Sequence, residues 1–403
     1  MKKNKKKRRL LTILPSVPIW TKSGNITFDR KFYDGISEYC ALWPGMVRCV
    51  MRISSDELPE FGLVTIPIGK LKFEIQIVDS CRSINDSHLS GSDTVMASGD
   101  NNDLLHISYI CKERSIRCIY IIEKPLKVQL KIISLNSPTL LHQLKRGIFC
   151  IRQEARRLKA FKLSDGVQAN GVPSFESYSS QYKDDLLYFD NRIKLKDLIT
   201  PSEIKKRLCY LKEGKPLRLA FSGRLIKIKG ADDLIKVAEA LDQKGVDFTF
   251  TIYGTGSLDE YIRSQIHEKR LTAKVFFKGP VDFYEVLLPA LKETTDLFIC
   301  LHKQGDPSCT YLETLACGIP ILGYANEAFA GILSKNDIGW SAPMNDITAI
   351  AELVARLNIQ RDLISQKSHN SIKMAKENHF EITYKRRVSH LAGQQISLDN
   401  NHI

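Results

Sequence analysis

The sequence predicts an α/β protein built from two doubly wound parallel-sheet domains, Rossmann-like in character, that face each other across a cleft. Three observations lead there. At 403 residues the chain exceeds one ordinary core, so two domains of roughly 200 residues each are the natural division. From Leu217 onward short apolar runs alternate with amphipathic helical segments, the pattern of a parallel sheet covered on both faces. The stretch from Asp296 to Gly318, DLFICLHKQGDPSCTYLETLACG, reads as a buried strand, a polar loop and a helix start, the order in which a phosphate or nucleotide site is built.

Residues 1–9 form a basic tail. Lys2, Lys3, Lys5, Lys6, Lys7, Arg8 and Arg9 carry half of the net charge of +14, and a like-charged run of this kind is disordered by default. It would be drawn to an anionic membrane surface. Nucleic acid is the competing partner, but no helix-turn-helix, finger or aromatic-rich RNA-binding pattern accompanies the run, so none is expected. Residues 10–200 read as a first α/β domain with strands at Leu10 to Leu14, Gly62 to Ile66, Asp93 to Ala97 and Cys118 to Ile122. Its loops Pro15 to Thr27 and Ser98 to Asp103 would face the cleft. Thr200, Pro201 and Glu203 make a capping-box helix start, and Glu213-Gly214-Lys215-Pro216 closes that helix; residues 201–216 are read as the linker.

Residues 217–377 read as the second domain, with strands at Leu217 to Phe221, Phe248 to Tyr253, Lys274 to Phe277, Asp296 to Leu301 and Ile319 to Gly323. Between the first two, Leu234, Val237, Ala238 and Leu241 share one face of a helix over Ala231 to Lys244. Ligand belongs beyond the carboxyl ends of these strands. Residues 378–403 are read as a closing helix and tail returning to the first domain, with Phe380 and Tyr384 four apart and able to pack there.

Composition sets the outer bounds. It is globular, no apolar stretch reaches the ~18–20 residues of a membrane span, and the first residues lack a signal-peptide apolar core; the expectation is a cytoplasmic protein, peripheral at most on the inner membrane face. Ten cysteines without a C-x-x-C pair predict a reduced compartment with neither disulfide framework nor zinc. Asp232-Asp233 begins a helix and Asp184-Asp185 lies in a Lys-rich stretch, so no metal site is read at either.

The chemistry concentrates at three strand ends. After the first strand of the second domain, Gly223 permits close backbone approach, Arg224 offers a planar fork to phosphate oxygens, and Lys229 adds a point charge just before a helix. The second strand ends in Y-G-T-G-S, with Gly254 and Gly256 allowing a tight turn. After Leu301, Ser308 or Thr310 caps a helix beginning at Tyr311, whose backbone N–H groups over Ser308, Cys309 and Thr310 suit a diphosphate. Glu313 is placed in its first turn, within reach of a ribose hydroxyl.

Taken together, the G-R-L-x-x-x-K-G segment at Gly223 to Gly230, the G-x-G that follows, and Glu313 with Leu315-Ala316-Cys317-Gly318 and Pro320 resemble the retaining family-four glycosyltransferases (glycosyl transferases group 1) of GT-B architecture, over nearly all of residues 217–390. The resemblance implies transfer of a sugar from a nucleotide-diphosphate donor to a polysaccharide, lipopolysaccharide or lipid-linked acceptor, with retention and without a cofactor or metal. It implies that Arg224 and Lys229 bind the diphosphate and Glu313 the ribose. One departure matters: Gly305 stands where the family carries the first Glu of E-x7-E. Asp306 either substitutes for it or merely caps the turn. Glu327, after the last strand, is a further donor contact, and Asp100 is the candidate for orienting the acceptor or donor sugar, with helix capping as its other reading. Glu123 closes an apolar strand and either faces the cleft or sits in solvent; His106 is read as a helix residue without a role. Two other readings stand beside the enzyme: a degenerate, non-catalytic partner subunit, and a basic nucleic-acid-binding protein.

Overall fold

The computed structural model of the protein describes residues 9–59, 62–79, 81–137, 139–179 and 184–394; the basic cluster from Lys2 to Arg8 lies outside the described residues. The chain divides into two compact units. One contains residues up to Ile133, Ser137–Tyr188 and the chain from Glu381; the other contains Ser134–Asn136 and Phe189–Phe380.

The first unit is organised by a seven-stranded parallel sheet. Its strands are β1 (Arg9–Leu14), β4 (Gly45–Arg52), β6 (Glu74–Val78), β7 (Thr94–Ser98), β8 (Arg117–Ile122), β9 (Gly166–Asn170) and β10 (Asp185–Tyr188), in the order β10-β9-β8-β7-β1-β4-β6. β2 (Trp20–Lys22), β3 (Asn25–Asp29) and β5 (Leu63–Pro67) form a separate antiparallel sheet. The run at Gly62 to Ile66 is therefore a strand, but one paired in this small sheet. In the main sheet β1 lies between β4 and β7, so the strand order reverses at the β1/β7 boundary, next to the loops at Pro15 and Ser98.

The second unit holds a six-stranded parallel sheet: β11 (Leu217–Ser222), β12 (Phe248–Tyr253), β13 (Val275–Gly279), β14 (Leu297–Cys300), β15 (Ile321–Tyr324) and β16 (Gly339–Ala342), ordered β13-β12-β11-β14-β15-β16. Every residue of β14 is buried, and Phe298 stacks on Phe221 with ring centroids 6.3 Å apart. Burial of this kind stabilises by about 1.5–3 kcal/mol for each such large side chain, which is why the strands read as continuous apolar runs. The predicted helix after β11 is present as Leu234–Gln243, preceded by a turn of 3-10 helix at Ala231–Asp233.

Two boundaries differ from the reading of the sequence. Residues 201–216 form a helix, Pro201–Lys212, and the turn after it, both inside the second unit; Thr200 caps that helix with the expected capping box. The chain passes between units at Tyr188/Phe189 instead. The closing helix, Phe380–Leu391, joins the first unit from Glu381 onward. There the Tyr384 ring meets Tyr39 edge-on at 5.1 Å, and Arg387 donates to the Gln168 side chain at 2.9 Å. Phe380 stays with the second unit, its N–H donating to the Ile193 carbonyl at 2.7 Å.

Candidate functional site

The strand order of the second sheet reverses between β11 and β14, so the loops leaving their carboxyl ends diverge and open a crevice, the place where doubly wound sheets take ligands. The β11 loop carries Gly223, Arg224 and Lys229. Gly223 and Gly254 adopt φ of 153° and 126°, and a Cβ on Gly254 would collide with the Gly223 carbonyl. The two strand ends thus approach too closely for any side chain there. Hydrogen bonds from Leu225 N–H to the Thr255 carbonyl (2.9 Å) and from Leu258 N–H to the Leu225 carbonyl (3.0 Å) lock them together. Gly256 packs against the Leu225 backbone in the same way.

The β14 loop is bound to its neighbours from both sides. Lys303 reaches Asp232 at 2.9 Å and Asp233 at 2.8 Å, which gives that acidic pair a structural function. Asn326 caps the Glu327–Leu333 helix through the Phe329 N–H (3.0 Å) and donates to the His302 carbonyl (3.0 Å). His302 itself is buried, with Nδ1 unpartnered. Burial first, and then the charges of Lys229 and Arg224, push its imidazole well below the usual histidine range, so it is neutral near pH 7. The charges of both cations are thus felt at the imidazole that follows β14. Arg224 is exposed, whereas Lys229 is buried and lies 3.9 Å from the Asp306 carboxylate.

The helix after this loop spans Cys309–Ala316, two residues earlier than its predicted start at Tyr311. Ser308 occupies the N-cap but its side chain makes no capping hydrogen bond, so the oxygens of a bound anion can take the first N–H groups. Glu313 is the fifth helical residue, not one of the first turn. It is buried and paired with Arg192 Nε at 2.8 Å. The Arg192 guanidinium in turn lies 3.7 Å from the centre of the Phe283 ring. The sequence reading missed Arg192, which is 121 positions away from its partner.

The departure at Gly305 has a structural counterpart. A Cβ built on Gly305 would stand 2.9 Å from the Cβ of Glu327 and against its carboxylate, so the Glu327 side chain fills the space that a residue larger than glycine would need. Asp306, the alternative, faces Lys229, and its Oδ1 is buried without a hydrogen bond. The sequence placed Glu327 at the site without its connection to Gly305.

The first-unit candidates are set differently. Both carboxylate oxygens of Asp100 accept backbone N–H groups, from Glu123 (2.8 Å) and Lys124 (3.1 Å), so this side chain clasps the end of β8. Burial raises its pKa, against the lowering by Arg157 and those two N–H groups. Glu123 accepts from the Asn170 amide at 3.1 Å, and His106 Nε2 lies 2.7 Å from the Ile84 carbonyl at the start of its helix. Among the described residues no group of three or more His, Cys, Asp or Glu side chains is placed to hold a metal ion, and no helix is long and apolar enough to cross a membrane.

Comparison with known proteins agrees with this geometry. Residues 204–378 match the family model described as glycosyl transferases group 1. The chain is 27% identical over 154 residues to the amylovoran biosynthesis glycosyltransferase AmsK of Erwinia amylovora, a stretch covering 36% of each chain. Across AmsK and two further curated relatives, the chain spans 36–37% of their length. Among solved structures, Anabaena HepE in complex with UDP superposes with a TM-score of 0.63 at 12% identity, covering 96% of this chain and 99% of that one. A glycosyltransferase from Rickettsia africae does so with a TM-score of 0.62 at 13% identity, over 96% and 100%. These likenesses establish the two-domain GT-B fold.

Proposed function

Residues 204–378 belonging to the glycosyl transferases group 1 family, we propose that the protein transfers a sugar from a nucleotide-diphosphate donor to a growing polysaccharide or lipid-linked glycan. The observation that supports this is that the β11 loop, with Arg224 and Lys229, and the β14 loop leave the sheet on either side of its switch point, with Lys229 lying 3.9 Å from Asp306, two residues before the uncapped helix start at Ser308. Uridine diphosphate is the favoured nucleotide, since the relative HepE was solved with UDP and with UDP-glucose. A glycan acceptor is favoured because AmsK is named for amylovoran biosynthesis.

The chemistry follows from charge. Breaking the anomeric C–O bond leaves positive character on the sugar and a growing negative charge on the diphosphate. Fixed cations and helix N–H groups aimed at that oxygen lower the barrier without reorganising. Arg224 offers a fork to the outer oxygens, while Lys229, already buried, gives an undiluted charge. The neutral His302 beneath them adds no competing charge and keeps Nδ1 free to hydrogen-bond. Glu313, held in one orientation by Arg192, takes the ribose hydroxyls. Glu327 supplies the carboxylate for the sugar that position 305 lacks. The substrate would retain its configuration through attack from the face of the departing phosphate, which accepts the acceptor's proton. Metal independence belongs to the same proposal, since the buried Lys229 and the exposed Arg224 supply the counter-charge.

The test is nucleotide release from UDP-sugars and GDP-sugars in the presence of a glycan acceptor, repeated with chelator. Acceptor-dependent release that survives chelation supports the enzyme. Nucleotide binding without any turnover, across acceptors, would favour the non-catalytic partner instead.

A further inference from the structure

The Leu140–Leu163 helix of the first unit carries a surface that the donor site does not use. Its inner side is firmly fixed: Arg157 donates to the Gly99 carbonyl (3.0 Å) and lies within 3.2 Å of the Tyr178 hydroxyl, while Ala160 and Phe161 enter the core. Its first turns behave oppositely. Leu140, Leu141, Leu144, Ile148, Phe149 and Ile151 are all exposed, the first three at 84%, 63% and 60%. At 100° per residue, Leu140, Leu141, Leu144, Ile148 and Ile151 share one outward arc. Lys145, Arg152 and Arg156, exposed as well, border that arc, and Lys159 continues it toward the carboxyl end. The helix has a single carboxylate, Glu154, which is turned to the buried Arg157 (2.7 Å) and to Tyr178 (2.9 Å).

An apolar stripe edged by cations, with its one acid withdrawn, is the pattern of a helix that lies in a bilayer interface. We propose that this helix docks the protein on an anionic membrane surface, with Leu140 to Ile151 entering the acyl boundary and Lys145, Arg152 and Arg156 meeting lipid phosphates. Charge decides the occupant. A second copy of the chain would oppose this basic border with an identical one, whereas acidic headgroups neutralise it. The inference does not rest on the donor-site reading, and it differs from attraction by the amino-terminal basic cluster in requiring apolar insertion.

The full chain is sedimented with vesicles of phosphatidylcholine containing phosphatidylglycerol and with phosphatidylcholine alone. Three proteins are compared: wild type, Leu144→Ser with Ile148→Ser, and Lys145→Glu with Arg152→Glu. All four altered positions are on the surface, and thermal melts confirm folding. Binding selective for the anionic vesicles, with partitioning reduced on the order of tenfold or more in each double variant, is the expected result. Undiminished binding by the Leu144→Ser/Ile148→Ser protein overturns the proposal, since the amino-terminal cluster would then suffice. So does a wild-type dimer in sedimentation velocity that the same substitutions dissociate.

Discussion

Lys229→Met tests the donor site most sharply, because it removes one charge and little volume. In the structure Nζ is 3.9 Å from Asp306 in a buried setting. At an effective dielectric of about 20, unit charges about 4 Å apart interact by about 4 kcal/mol. A phosphate oxygen at similar range would feel a comparable pull, strongest as its charge grows. Loss of one preorganised group of this kind costs roughly 3–4 kcal/mol in the transition state, about 10²–10³ in rate. The prediction is a fall in kcat of about a hundredfold or more with a smaller change in KM, measured as nucleotide release in single-turnover and steady-state experiments. A second readout separates this from unfolding. Lys229 is one of the two charges holding the His302 imidazole low, so the His302 pKa rises in the variant, visible in ring-proton chemical shifts against pH. A fall in kcat below threefold together with an unmoved His302 would refute the reasoning.

Further predictions follow from the same contacts. Glu327→Ala lowers kcat/KM about tenfold, the cost of a lost charged hydrogen bond, and Gly305→Glu placed on that background recovers most of it, whereas Gly305→Glu alone collides with Glu327 and lowers the melting temperature. Arg157→Met leaves the half-buried Glu154 without its cation, with the Tyr178 hydroxyl still donating to it, and lowers the urea midpoint by the equivalent of about 3 kcal/mol. The Asp185 carboxyl, buried beside Asp184, is pushed up to about 7. It stays protonated in the folded chain while the unfolded chain ionises, so its effect is to lower stability as pH rises from the usual carboxylate range toward 7; Asp185→Asn flattens urea midpoints across that window. His302 has the opposite sense, its folded pKa lying below the unfolded value. The unfolded chain gains a proton as pH falls below about 6.5, and the stability lost there is smaller in His302→Gln.

The second unit was legible because a parallel sheet covered on both faces leaves each central strand as an unbroken apolar run. Phe248–Tyr253 reads with its observed bounds, and the neighbouring strands fall within one or two residues. β16, Gly-Trp-Ser-Ala at the sheet edge, carries no such run and gave no signal. In the first unit β4 contains Arg48 and Arg52, β6 opens on Glu74, and β9 contains Gln168 and Asn170, so charge and polarity concealed strands that tertiary pairing creates. Gly62 to Ile66 shows a different limit, since alternation identifies a strand but not its partner. The cations and glycines of the site were visible because each group lies within a few residues of a strand end, Gly223, Arg224 and Lys229 after β11 and Gly254 and Gly256 after β12. Arg192 with Glu313, and Glu327 against Gly305, join distant segments, and only folding reveals them. The exposed stripe at Leu140 to Ile151 was concealed for another reason: an apolar helical face has the same spacing whether it meets a core or a membrane.

The most direct test of the donor site is isothermal titration of the purified protein with UDP, GDP, ADP and dTDP, followed by the matching nucleotide sugars, for wild type and for Arg224→Ala with Lys229→Met. The account predicts that UDP binds, that binding persists in chelator, and that the double variant loses it. Absence of binding by every nucleotide, or equal binding by wild type and variant, would contradict it.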